Sequence, residues 1–283
     1  MNRIFLTGAT GFIGRELINK INGKYKITCL VRKTSDIEDL KKYAVNFIEG
    51  DMLDKNSFEM SQDSIDIVIH LATSHIGGNE QLNLQGSNNI IEFCKEKKIK
   101  RIIYISSMAV KRDILDEYGA IKLQIEELIK QSGLDYTILR PSMIYSNKNL
   151  GIITKTFNFP FIIPIIGNGH YRINPVYIDD LIKAIEKSIE SKVPIKKEYD
   201  IAGGESMSFN ELVKISMIRF KMKKLIIHIP LKLCILIFKI VPIVSVEAIK
   251  GINQDTNADI SSLKKDLKII PISFREGVKN VNI

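Results

Sequence analysis

Thr7-Gly8-Ala9-Thr10-Gly11-Phe12-Ile13-Gly14 decides how this chain is to be read. It places Gly8, Gly11 and Gly14 at three-residue intervals, after the run Arg3 to Thr7 and before a segment of helical period, Phe12 to Ile21. A strand that feeds a helix through such a turn needs small residues for separate reasons. Gly8 permits the tight turn, Gly11 lets the backbone approach a pyrophosphate, and Gly14 lets the helix pack against the sheet. The amides around Thr10, Phe12 and Ile13, at the helix N-terminus, then face the anion.

Outward from this loop, β-branched runs alternate with helical segments, the pattern of a parallel sheet wrapped by helices. The expected strands are Arg3 to Thr7, Lys26 to Val31, Val45 to Glu49, Ile65 to Leu71, Arg101 to Ser106 and Tyr136 to Arg140. Helical segments lie between them, notably Phe12 to Ile21, Glu80 to Lys98 and Asp116 to Gln131. The fold class is therefore α/β, a Rossmann-like doubly wound parallel sheet. The reading assigns residues 1–146 to a dinucleotide-binding domain and 147–283 to a small substrate-binding cap whose segments partly return to the sheet. In the cap, 147–174 reads as loop-rich with one short helix. A helix from Ile178 to Glu190, a strand near Glu198 to Ala202 and a helix from Ser208 to Phe220 follow, the last opened by a Ser208/Glu211 capping box. The remaining tail, through Phe274, reads as mixed helical packing.

With 45% hydrophobic and 26% charged residues in 283, the composition is that of a globular protein with a sizeable core, which excludes disordered and fibrous classes. Cys29, Cys94 and Cys234 are far apart and sit in or beside apolar runs, so they read as buried thiols of a reducing compartment, and no metal site is expected. Asp179 and Asp180 have no third ligand nearby, and His70, His75, His170 and His228 lack ligand spacing and read as structural. The N-terminus has no secretory pattern, and cytoplasmic placement is expected. Leu225 to Val244 is too interrupted for a span of about 20 residues. Within it, Leu231 to Ile240 leaves two readings open, a domain-packing helix or a surface helix in peripheral contact with a membrane. The net charge of +9 comes largely from lysines interspersed with acids and without base-stacking aromatics, so no nucleic-acid partner is expected.

The second strand ends at Arg32 with no acid to hold a ribose 2′-hydroxyl, which favours NADP over NAD. The GxxGxxG spacing, with GDMLD (Gly50 to Asp54), HLAT (His70 to Thr73), Asn83 and Gly86 in NLQGSNN, ISSMAV (Ile105 to Val110), YGAIK (Tyr118 to Lys122), LRPSMIY (Leu139 to Tyr145) and VYIDDL (Val176 to Leu181), resembles the short-chain dehydrogenase/reductase superfamily, in its extended NAD(P)-dependent epimerase/dehydratase branch. The resemblance covers nearly the whole chain. It implies that Asp51 and Met52 border the adenine, that Leu71, Ala72 and Thr73 pass beneath the ribose, and that Pro141, Ser142 and Ile144 flank the nicotinamide. It also implies an anchoring role for Asp180.

Tyr118 and Lys122 are four apart in a helical segment and so share a face. A tyrosine, with a reference pKa of about 10, becomes a usable base when a neighbouring ammonium favours its phenolate. By the resemblance, Tyr118 exchanges the proton of the reacting oxygen, Lys122 also holds the nicotinamide ribose, and Ser107, rather than Ser106, polarises the same oxygen. The connection from Ser107 to Tyr118 is short, with ten residues between them, as in atypical members, some of which have lost catalysis.

Met108 and Ala109 stand where a 4,6-dehydratase carries its acid pair, which leaves keto-reduction or epimerisation of a sugar or nucleotide-sugar. Substrate contacts are expected from Ser107, Asn83 and Arg172, the last about one residue out of the register for gripping a diphosphate. The apolar cap FNFPFIIPIIG is consistent with a hydrophobic substrate and equally with core packing. A non-catalytic dinucleotide-binding module, a redox sensor or an assembly or membrane-associated subunit, is the alternative. The helix bearing Tyr118 is consistent with a homodimer contact, as in relatives, or with a monomer.

Overall fold

The run Arg3–Thr7 forms β1, and its neighbours β2 (Lys26–Val31) and β4 (Ile67–His70) both run parallel to it. β3 (Val45–Glu49) extends the β2 side, β5 (Arg101–Ile105) and β6 (Asp135–Pro141) extend the β4 side in parallel register, and β11 (Lys197–Ile201) lies beyond β6. The order β3-β2-β1-β4-β5-β6-β11 reverses its direction of growth between β1 and β4. Doubly wound sheets bind ligands outside the strand C-termini at such a switch point.

This computed structural model describes residues 1–59, 64–73, 80–191, 193, 195–240, 249–251, 253–256 and 258–282. The chain divides into two compact units: residues 1–106, 121–140 and 182–199 form the first, and 107–120, 141–181 and 200–283 the second. The boundary expected at 147 thus falls inside the second unit, which also claims the segment that starts at Ser107.

In the first unit α1 (Phe12–Ile21), the short α2 (Asn56–Glu59), α3 (Gln81–Glu96) and most of α4 (Glu117–Gln131) bury apolar side chains. Phe5 of β1 meets Phe93 of α3 at 5.1 Å between ring centres, and Phe58 meets Phe93 edge-on at 5.3 Å. Ile121, Ile125 and Ile129 of α4 join this core, together with Ile102 and Tyr104 of β5. Burying each large apolar side chain contributes about 1.5–3 kcal/mol. Arg140 and Glu126 are buried together as an ion pair that Glu198 and Lys130 extend.

The second unit has its own core, around Tyr145, Ile165, Phe209 and Phe274. Its strands come in pairs: β7 (Ile144–Tyr145) with β10 (Val176–Tyr177), β9 (Arg172–Ile173) with β12 (Met207–Ser208), and β8 (Ile162–Ile166) with β13 (Leu225–Ile229). The last pair corrects the expectation of a loop-rich cap and helical tail. Two isoleucine-rich runs 63 positions apart pair in parallel register, Ile162 with Leu225 through Ile166 with Ile229, because β-branched chains suit a pleated surface. Pro164, which has no amide to donate, is tolerated because every strand of a two-stranded sheet is an edge. The second unit's helices include α5 (Ile152–Thr156), α7 (Phe209–Arg219) and α8 (Leu231–Ile240), with Ser208 and Glu211 forming the expected capping box on α7, whereas α6 (Ile178–Glu190) passes into the first unit from Ile182 onward.

Candidate active site

The glycine loop leaves β1 at Gly8 with φ +76°, where a side chain would strain the backbone. A Cβ at Gly8 would also lie 2.7 Å from the Ala72 amide nitrogen, and one at Gly14 would lie 2.3 Å from the Gly8 carbonyl oxygen. Gly11 is less constrained by the protein, its nearest such contact being 3.3 Å. Gly11 is also the N-cap of α1, which has no side-chain cap and no acid in its first turn. The amides at that end and the positive end of the helix dipole are therefore suited to an anion, which is the fit a dinucleotide pyrophosphate requires.

Behind the loop, one polar chain ties three elements together. Thr7 Oγ1 accepts from the Ala72 amide at 3.2 Å and lies 2.7 Å from His70 Nδ1. His70 Nε2 lies 2.9 Å from Ser87 Oγ, which donates to the Asn83 carbonyl at 2.7 Å. With the Ser87 proton spent on Asn83, His70 carries its proton on Nε2 and accepts from Thr7 on Nδ1. Burial, with Lys122 adding like charge, pushes the His70 pKa down to about 3, so the ring stays neutral. The histidine of HLAT thus fastens the ends of β1 and β4 to α3. His75 lies outside the described residues.

Lys122 is 3% exposed. Its Nζ donates to Thr73 Oγ1 at 2.9 Å and to the Ile105 carbonyl at 3.0 Å, and stands 4.8 Å from the centre of the Tyr104 ring. Desolvation lowers its pKa to about 8, against the pull of Glu80 and Glu126. Tyr118, half-buried, lies one turn earlier on the same helix. A Cβ at Gly119 would come within 3.0 Å of the Ala109 carbonyl, so the first turn of α4 is pressed onto the turn that follows Ser107. That close approach is how the short connection is accommodated.

The other expected cofactor residues sit around the sheet. Arg32 is exposed at the end of β2 in a turn closed by Ser35. Asp51 accepts from the Leu53 amide at 2.9 Å, and Met52 fills the space over Gly86. The Leu71 amide donates to the Thr7 carbonyl at 3.2 Å. Asn83 is buried, and its amide donates to Glu80 at 2.6 Å.

Within the second unit, a cavity of about 560 Å³ gathers Ser107, Pro141 and Ser142. Ser107 caps the turn after it by accepting from the Ala109 amide at 3.1 Å, whereas Ser106 is buried and off the cavity wall. Tyr118, Ile144 and Arg172 are not on this wall either. Strand alternation explains the last: Tyr171 and Ile173 face the cavity, while Arg172 between them bonds to Ser206 through Nε at 3.2 Å and Nη2 at 2.7 Å. The cation that does line the cavity is Arg112. Its Nη1 is 3.6 Å from Asp116 Oδ2, and its buried Nε has no hydrogen bond among the described residues. Sequence reading missed it, although its place five residues after Ser107 in the short connection was a usable signal. Asp180 is buried and accepts from the Ile272 amide at 3.0 Å.

Residues 8–161, more than half of the chain, match the model of a family described as NAD(P)H-binding. The chain belongs to that NAD(P)H-binding family. This NAD(P)H-binding protein is 31% identical over 141 residues to the photosystem II assembly factor Ycf39 of Cyanophora paradoxa, a match spanning 48% of the chain and 44% of that relative, less than half its length. To the factor of the same name from Guillardia theta it is 24% identical over 243 residues, 82% of the chain and 74% of the relative. The solved UDP-glucose 4-epimerase of Thermotoga maritima, with UDP-glucose, superposes with a TM-score of 0.80 at 21% identity, over 99% of this chain and 97% of that one. The fold is that of the extended short-chain dehydrogenase/reductases, the epimerase/dehydratase branch.

Proposed function

We propose that this NAD(P)H-binding protein is an NADP(H)-dependent oxidoreductase or epimerase acting on a sugar or nucleotide-sugar. In this reading Tyr118 exchanges the proton of the reacting oxygen, Ser107 donates a hydrogen bond to that oxygen, and Lys122 supplies the charge that favours the phenolate. A bound nicotinamide supplies or accepts the hydride. The observation that carries the reading is the setting of Lys122, an ammonium taken out of water and fastened by Thr73 and Ile105 one turn from Tyr118. Burying such an ion costs several kcal/mol, a cost an apolar side chain would avoid.

Gly11 supports the cofactor assignment, because the protein's own packing constrains it less than Gly8 or Gly14 and pyrophosphate approach gives it a reason. Thr10, Phe12 and Ile13 complete that loop, Asp51 and Met52 border the adenine, Leu71, Ala72 and Thr73 underlie the ribose, and Pro141, Ser142 and Ile144 flank the nicotinamide. Exposed Arg32 meets the 2′-phosphate. The anionic part of a nucleotide-sugar falls to Arg112 rather than Arg172, since Arg112 lines the cavity with Ser107. Asn83, its amide committed to Glu80, is a positioning group. Met108 and Ala109, which follow Ser107 where a 4,6-dehydratase carries its acid pair, favour reduction or epimerisation over dehydration.

The test is Tyr118→Phe, assayed by NADPH oxidation over a panel of keto sugars and, because epimerisation consumes no net NADPH, by epimer formation from UDP-sugars. Turnover is expected to fall about 10²–10⁴-fold with NADPH affinity retained; unchanged turnover overturns the assignment. Arg32→Ala is expected to weaken NADPH about ten-fold more than NADH, and equal losses remove the 2′-phosphate argument. The Ycf39 matches favour a second reading, a dinucleotide-binding assembly subunit without turnover. Tight NADPH binding with no substrate in the panel turned over is the outcome that reading expects.

A further inference from the structure

Ten of the chain's 41 basic residues, and none of its 32 acidic ones, lie in two segments, 141–178 and 212–246; the remaining 31 basic residues nearly balance the 32 acids. The positive excess therefore resides in these two acid-free segments of the second unit, which corrects the expectation that it comes largely from lysines interspersed with acids. The two segments also supply the paired strands β8 and β13 and the helix α8. Register puts Ile162, Pro164 and Ile166 on the same face as Leu225, Ile227 and Ile229, and none of the six is buried, while Ile163 and Ile165 of the opposite face join the core. Phe161 is 81% exposed, Leu225 66% and Leu236 of α8 57%. Pro164, Ile166 and Ile229 of this face also border the cavity that Ser107 lines. Lys223 and Lys232, both exposed, stand at the two ends of β13. Exposed apolar side chains of this kind, with an exposed lysine flanking each end of β13, mark an interaction surface.

We propose that this face of the second unit docks on an anionic lipid bilayer. Phe161, Leu225 and Ile227 reach the acyl boundary, and Lys223 and Lys232 meet the headgroups. A bilayer fits better than a protein partner because the face combines aliphatic and aromatic side chains with cations on acid-free segments, the pairing that suits an apolar layer under an anionic one. Among the described residues no helix is long and apolar enough to cross a membrane, so the contact is peripheral. The proposal is independent of whether the protein turns over a sugar.

The experiment is co-sedimentation of the full chain with vesicles of phosphatidylglycerol and phosphatidylcholine, against vesicles of phosphatidylcholine alone. Binding to the anionic vesicles is expected to be about ten-fold tighter and to weaken with salt. Phe161→Ser with Leu225→Ser, both on exposed positions, is expected to lower it about ten-fold, and so is Lys223→Glu with Lys232→Glu, with NADPH affinity and melting temperature unchanged in both. Equal partition onto both vesicle types, no partition at low salt, or full binding by the Phe161/Leu225 variant overturns the proposal. So does a wild-type dimer that the same variant disperses while vesicles bind neither protein.

Discussion

The two units are held by different means. The first has one sheet whose strands run four to seven residues, so backbone groups satisfy one another along ladders. Among the described residues the second has three two-stranded sheets, two of them built from two-residue strands, and uses single polar side chains to hold distant backbone: Asp180 takes the Ile272 amide and Asp255 the Arg172 amide. A ladder distributes its stability over many equivalent bonds, whereas a side-chain clasp concentrates it in one. The first unit is therefore most vulnerable where backbones approach each other, and the second where one carboxylate is lost.

Gly14→Val gives the largest expected effect. Its Cβ meets the Gly8 carbonyl at what would be 2.3 Å, and α1 must shift away from the loop. Urea unfolding is expected to show a loss of about 3 kcal/mol, and NADPH titration a loss of at least about 100-fold. Wild-type binding by this variant would break the claim that the loop is sterically determined. Next comes Asp180→Ala, which removes a buried carboxylate and leaves the half-buried Ile272 amide without that acceptor. It is expected to cost about 2–3 kcal/mol in urea while NADPH affinity changes little, and an equal loss of affinity would erase the contrast between the units.

The smallest effect is a pH slope from His70. Its pKa is depressed from 6.5 to about 3 in the folded chain, so the stability it contributes is complete above pH 6.5 and is lost as pH falls towards 3, because only the unfolded chain takes up the proton in that window. Each pH unit below 6.5 is expected to remove up to about 1.4 kcal/mol. His70→Asn, compared with wild type in urea between pH 6.5 and 5, should flatten that slope; an unchanged slope would assign it to other groups.

Much of the first unit was legible residue by residue. The strands at Arg3–Thr7, Lys26–Val31 and Val45–Glu49 and the helix at Phe12–Ile21 stand where their patterns put them, because a buried parallel strand reads as a continuous apolar run. The glycine roles were legible for the same reason, since Gly8 and Gly14 answer to local geometry. The helix Ile178–Glu190, most of which belongs to the first unit, was legible from its periodicity, and the second unit was legible at the helix capped by Ser208, whose cap is also local. Its sheets were hidden, because Ile162–Ile166 and Leu225–Ile229 are strands only by virtue of each other.

By itself, then, the sequence determined the order of strands and helices around the glycine loop, the spacing of Tyr118 and Lys122, and the charge-rich and acid-free stretches, all of which depend on neighbours a few positions away. Only the tertiary structure decided that Arg112 and not Arg172 lines the cavity, that His70 is a fastening between β1, β4 and α3, and that Lys122 is buried against Thr73 and Ile105. The physical reason is that burial and hydrogen-bond partners belong to pairs of residues far apart in the chain, and nothing in either member alone specifies the other.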